Sequence, residues 1–190
     1  MRRTSARAPH LLNERPTHLE RILIIYANSS HERFSTPPTH LTALRIIYQR
    51  LADTDVVWAL TGSAGLAIKG IPLTPNDIDI QTTRAGVEEF ARLFAAEMVQ
   101  EPFFWETEHT QSWVARFEIA GVEVEVLGDI RHRDEDGGWD DPPNLEAVRL
   151  FIQVAEMRIP TLSLDFEEEA YRSMGRNDKA ALIAQYLRIC

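Results

Sequence analysis

A chain of 190 residues with 44% apolar side chains can bury one substantial core, which suits a single domain with an appendage. No apolar run approaches the roughly 20 residues of a membrane-spanning helix, so no membrane association is expected. The formal charge of −9 is uneven: residues 1–50 hold eight arginines against three glutamates, whereas residues 51–190 balance at −14, which speaks against a long nucleic acid as partner because such binding draws on Lys and Arg.

Residues 1–39 form an N-terminal arm of Arg, Ser, Pro, His and Thr, broken by Pro16, Pro37 and Pro38, and read as flexible apart from Leu19 to Tyr26. Arg2, Arg3 and Arg7 hint at a targeting peptide, but the apolar stretch Ile22 to Ala27 is shorter than the about 7–15 residues of a signal-peptide core. A domain over residues 40–190 follows. Thr39 is an N-cap candidate for a helix through Ala52 whose Leu41, Leu44, Ile47 and Leu51 share one face. Next come a strand over 56–61, a helix over 63–69 with Ser63 as its N-cap, and a strand over 77–81. Val87, Phe90, Ala91, Phe94 and Met98 keep close to a 3.6 period and predict a helix over 84–98. Alternation before and after Ala120-Gly121 predicts a hairpin over 112–127. Arg131 to Asn144 reads as a polar loop without the ligand spacing of a calcium site. Strand-like stretches at Leu150 to Ala155 and Arg158 to Leu162, then helices over 165–174 and 177–188, close the chain. The acidic run Asp165, Glu167, Glu168 and Glu169 is accounted for by the favourable dipole at a helix N-terminus. Cys190, the only cysteine, allows no intramolecular disulfide, and a reducing cytoplasmic location is expected.

The most informative stretch is Leu60-Thr61-Gly62-Ser63 followed by Asp77-Ile78-Asp79-Ile80. On a strand, Asp77 and Asp79 point the same way while Ile78 and Ile80 point into a core. Adjacent carboxylates repel, and burying them unpaired costs several kcal/mol. A divalent cation with oxygen ligands resolves that conflict, and Mg²⁺ commonly combines one or two carboxylates with phosphate oxygens. Gly62 lets backbone approach closely, and the helix start at Ser63 offers N–H groups to an anion. Glu123 and Glu125 share the polar face of the hairpin with Arg116 and Glu118; parity alone does not choose between the two glutamates.

These residues resemble the nucleotidyltransferase superfamily related to DNA polymerase beta, whose signature is an apolar residue, Gly, Gly or Ser, then Asp-x-Asp/Glu. The likeness runs from about residue 40 to residue 187. It includes Trp58-Ala59-Leu60-Thr61-Gly62-Ser63, Asn76 through Thr82, and Gly175-Arg176-Asn177-Asp178-Lys179-Ala180. In the small branch that the chain is most like, the pattern Val-Glu, two apolar residues, Gly-Asp aligns Glu125 with the third metal-binding carboxylate. The resemblance implies an α/β fold, a small mixed sheet with helices mainly on one face. It also implies transfer of a nucleoside monophosphate from an NTP such as ATP to an acceptor hydroxyl, with pyrophosphate leaving. Asp77, Asp79 and Glu125 would hold Mg²⁺ or Mn²⁺ and carry catalysis, Gly62 and Ser63 would seat the phosphates, and Arg176 and Lys179 would stand near them. A small molecule, a tRNA end and a protein side chain all stay open as acceptor. A different class of function, a non-catalytic nucleotide-binding or interaction module such as one component of a toxin–antitoxin pair with a partner protein, stands as the alternative.

Overall fold

The computed structural model describes residues 36–134 and 136–188. The expectation of a flexible arm falls for its first 35 residues outside that range. Helix α1 (Pro38–Leu51) begins one residue before Thr39; its N-cap is Pro37, no side chain caps it, and a proline sits in the first turn, where its missing N–H costs nothing. Strand β1 (Ala59–Thr61) is shorter than expected and runs straight into helix α2 (Gly62–Ile68). Thr61, not Ser63, is the N-cap, and Ser63 lies inside the first turn. Strand β2 (Ile78–Thr82) follows.

The helix expected over 84–98 is α3 (Arg84–Leu93), capped by Thr83, whose hydroxyl accepts from the Gly86 N–H at 3.1 Å. It stops early because Met98 opens a strand, β3 (Met98–Glu106), that the helical spacing of Met98 had disguised. Register shifts on either side of Gln100, together with Pro102, interrupt its alternation, as is common on a sheet edge. Strands β4 (Thr110–Ile119) and β5 (Val122–His132) form the expected hairpin, longer at its open end. Ala120 and Gly121 both take positive φ, 54° and 73°, as the tight turn between right-twisted strands requires. The one-turn helix α4 (Leu145–Val148), strands β6 (Arg149–Val154) and β7 (Met157–Leu162), and helices α5 (Leu164–Ser173) and α6 (Asn177–Leu187) complete the described residues.

The seven strands make one mixed sheet in the order β3-β4-β5-β2-β1-β7-β6. Ile78 and Ile80 of β2 and Val124 and Val126 of β5 point into the main core with Leu44 and Ile47 of α1 and Phe90 and Phe94 of α3. Phe90 stacks on Phe94 at 4.3 Å between ring centroids and meets Phe117 at 5.0 Å, contacts worth about 0.5–1.5 kcal/mol each beyond area burial. Helices α5 and α6 pack on one another and on α2 through Leu66, Ile71, Tyr171, Ala180 and Ile183. They flank the opposite face of the sheet, where the alternation of β2 and β5 leaves Asp79 and Glu125. Among the described residues no helix is long and apolar enough to cross a membrane.

Candidate active site

Strand pairing builds the site. Asp79 pairs with Thr61 of β1 on one side and with Glu125 of β5 on the other, and Glu125 pairs in turn with Arg116 of β4. Paired residues share a face, so one row across four strands reads Thr61, Asp79, Glu125, Arg116. The Arg116 guanidinium donates to Glu125 at 2.7 Å and sets that carboxylate's direction. Glu123 pairs with Glu118 near the turn and is exposed, which separates the two glutamates that parity could not.

Burial pushes the Asp79 carboxyl up to about 7, with the charges of Asp77, Glu125 and Glu167 adding to the shift and Lys179 opposing it. Asp77, half-buried just before β2, is one of the neighbours driving it. The Lys179 ammonium is held down by burial and by Arg176, while Asp79, Asp77 and Glu167 pull it the other way. Arg176 and Lys179 both lie over the Tyr171 ring, at 5.2 and 5.0 Å from its centroid. Burial and Glu167 push the Tyr171 phenol upward, so it stays neutral beneath them. His40, at the start of α1, also lies near Asp77; burial lowers its pKa against the upward pull of the Asn76 backbone and of Asp77.

Gly62 is fixed by contact. Its φ is +64°, and a Cβ there would stand 2.1 Å from Asp79 Oδ2. Gly62→Ala is therefore expected to cost roughly 2–4 kcal/mol of stability and to displace the Asp79 carboxylate. Thermal unfolding alongside Mn²⁺ binding checks this; an alanine variant matching the parent in both would refute the contact.

A cleft of ≈ 210 Å³ opens beside this row between the sheet face and α5. Gly62, Asp79, Glu125 and Arg176 line it, and Thr61, Glu167 and Tyr171 form its inner wall. Its far end is made by Gln81, Trp105, Thr110 and His132, which sequence reasoning missed. For His132 the reason is a bulge. Between the pairs Trp113–Gly128 and Gln111–Arg131, β5 uses one residue more than β4, and Asp129 takes φ +47° there. Parity flips, and Ile130 and His132 join Glu125 and Leu127 on the cleft side. Burial lowers the His132 pKa against the pull of Asp140.

The dipole account of the acidic run is incomplete for Glu167, which lies in the first turn of α5 but has a side chain 3% exposed and 3.8 Å from Lys69 Nζ. Spacing carried a signal, because Leu164, Glu167, Tyr171 and Met174 follow one helical face and its apolar members mark it as inward.

Among the described residues no three or more His, Cys, Asp or Glu side chains stand together as a ready-made metal ligand set. Asp79 nevertheless fits a cation, since burial beside three other carboxylates raises its pKa and a divalent ion would relieve that repulsion.

The model of the aminoglycoside-2''-adenylyltransferase family matches residues 43–185. The chain belongs to that family. Among solved structures it is similar to a candidate nucleotidyltransferase, TM1012 from Thermotoga maritima, with 39% identity over 82% of this chain and 96% of that one and a TM-score of 0.72. It is also similar to the lincomycin-bound lincosamide antibiotic adenylyltransferase LnuA, with 15% identity over 66% of this chain and 81% of that one and a TM-score of 0.45. No curated protein matches. Family and fold together make this an enzyme of the nucleotidyltransferase superfamily, as the resemblance implied.

Proposed function

We propose that this nucleotidyltransferase transfers a nucleoside monophosphate, AMP from ATP, to the hydroxyl of a small cationic acceptor and releases pyrophosphate. The observation that supports this best is the register of Asp79 with Glu125 across β2 and β5, with Gly62 against Asp79. Asp77 and Asp79 would hold Mg²⁺ or Mn²⁺ and Glu125 would complete the set. When bound, the metal neutralises phosphate charge and makes the acceptor oxygen a better nucleophile. Gly62 and Ser63 would face the phosphates from the start of α2, with Arg176 and Lys179 across the cleft. The acceptor oxygen bonds to the α-phosphorus as the bond from that phosphorus to the pyrophosphate oxygen breaks. Its proton passes to Glu125, which Arg116 orients. The family description names an aminoglycoside as acceptor, and two features of this chain suit a cationic, hydroxylated molecule: the balance of −14 over residues 51–190, and the presence of Gln81, Thr110 and Trp105 in the lining of the cleft.

Incubation with [α-³²P]ATP and Mg²⁺ or Mn²⁺, followed by separation into RNA, protein and aminocyclitol-type small-molecule arms, tests the reading. Label is expected in the small-molecule arm; label in RNA or protein would reassign the acceptor, and none in any arm would refute transfer. Mg²⁺ with ATP at about 100 times the dissociation constant is expected to raise the thermal midpoint by about 5–10 °C. A midpoint indifferent to both counts against the site.

A further inference from the structure

Glu167 lies on the inner wall of the cleft, with its side chain buried. Its carboxylate accepts the Thr61 hydroxyl at 3.0 Å, and it faces Lys69 Nζ at 3.8 Å. The side chains of Glu167 and Lys69 are 3% and 2% exposed. Thr61 and Gly62 open α2, and Lys69 closes it as the C-cap, so one carboxylate ties α5 to both ends of that short helix. Gly65 makes the approach feasible: a Cβ there would already stand 3.1 Å from the Leu60 carbonyl and 3.5 Å from Glu167 Oε1.

A buried ion pair is weak evidence for stability, because apolar residues of similar volume commonly serve a fold as well or better. What apolar residues cannot do is accept the hydroxyl of Thr61, the residue that runs straight into Gly62. These two residues border Asp79 directly, Thr61 by strand pairing and Gly62 by a contact that leaves no room for one carbon. A shift of the turn by a few tenths of an ångström therefore moves the Asp79 carboxylate.

We infer that Glu167, held by Lys69, is a positioning residue for nucleotidyl transfer, fixing the Thr61–Gly62 turn so that Asp79 is aimed at the metal–nucleotide complex. This rests on the nucleotidyl-transfer reading. Outer groups that orient a ligand typically alter affinity by about 10–100-fold when removed.

The test uses the full chain, Mn²⁺ with α,β-methylene-ATP as probe, paramagnetic resonance for bound Mn²⁺, and the thermal midpoint of each variant. Glu167→Asp keeps the charge and retracts it by one methylene; Lys69→Met with Glu167→Met removes the pair without leaving a lone buried charge. Both are expected to weaken Mn²⁺–nucleotide binding about tenfold or more, the second with a midpoint close to the parent's. Glu169→Gln, at an exposed carboxylate of the same helix, is expected to leave binding unchanged. If the double variant does not fold, Glu167→Asp decides. A variant whose midpoint falls while its Mn²⁺–nucleotide affinity holds assigns Glu167 to the fold alone and overturns the inference. Failure of the parent itself to bind the probe would instead sink the nucleotidyl-transfer reading.

Discussion

Asp79→Asn is expected to abolish nucleotidyl transfer and, in metal-free protein at pH 8, to raise the thermal midpoint by about 3–10 °C. Folding lifts the carboxyl from 3.8 to about 7, first through burial and then through Asp77, Glu125 and Glu167. Ionisation is thus disfavoured in the folded state. The stability associated with protonated Asp79 is fully present below about pH 4 and is lost as pH rises through about 7. A shift of this size corresponds to at most roughly 4 kcal/mol, and an asparagine of the same shape removes it. The gain in midpoint should therefore shrink toward zero near pH 4. Unfolding of Asp79→Asn at every pH would make the aspartate structural and end its assignment to the site; a stabilised, inactive variant is the signature of a group kept for chemistry at the expense of the fold.

Glu125→Gln is expected to slow transfer by about 10²-fold or more, and Glu123→Gln to stay within a few-fold of the parent. Both glutamates lie on one strand and one face, about 6–7 Å apart. The register breaks the tie: Glu125 lies opposite Asp79 and takes the Arg116 guanidinium at 2.7 Å, whereas Glu123 lies opposite Glu118 at the solvent-exposed turn. Mg²⁺ tolerates little deviation from about 2.1 Å to each oxygen, so two glutamates so far apart cannot exchange roles. Steady-state rates with the acceptor that takes up label, measured for both variants, check the ranking. The reverse order would move the catalytic role to Glu123.

Alternation made much of this readable in the chain. Asp77, Ile78, Asp79 and Ile80 announce a strand with two faces of opposite chemistry, and Val122, Val124 and Val126 do the same for β5. Such a two-residue period survives because one face must be apolar. Where the period fails, so did the reading. β3 hid behind the helical spacing of Met98, since an edge strand carrying Pro102 and irregular register has no clean inner face. Glu167 hid among charged neighbours, because of Asp165, Glu167, Glu168 and Glu169 it alone is fully buried, and its partners Thr61 and Lys69 lie about a hundred residues away. Ser63 has the chemistry of a good cap, but the helix already begins at Gly62 and Thr61 has the extended geometry before it.

The bulge at Asp129 divides β5 into two stretches under different constraints. Upstream, Glu125 is tied to Asp79 and Arg116, and any change of register there separates them. Downstream, Ile130 and His132 reach the same cleft from beyond a local break in the ladder, linked to the reacting end only through space. Substitutions after Asp129 can therefore reshape the far wall without disturbing the carboxylates. Under the proposed transfer, one strand would then carry both a fixed reacting end and a variable recognition end, so acceptor choice could diverge while the transfer step is kept.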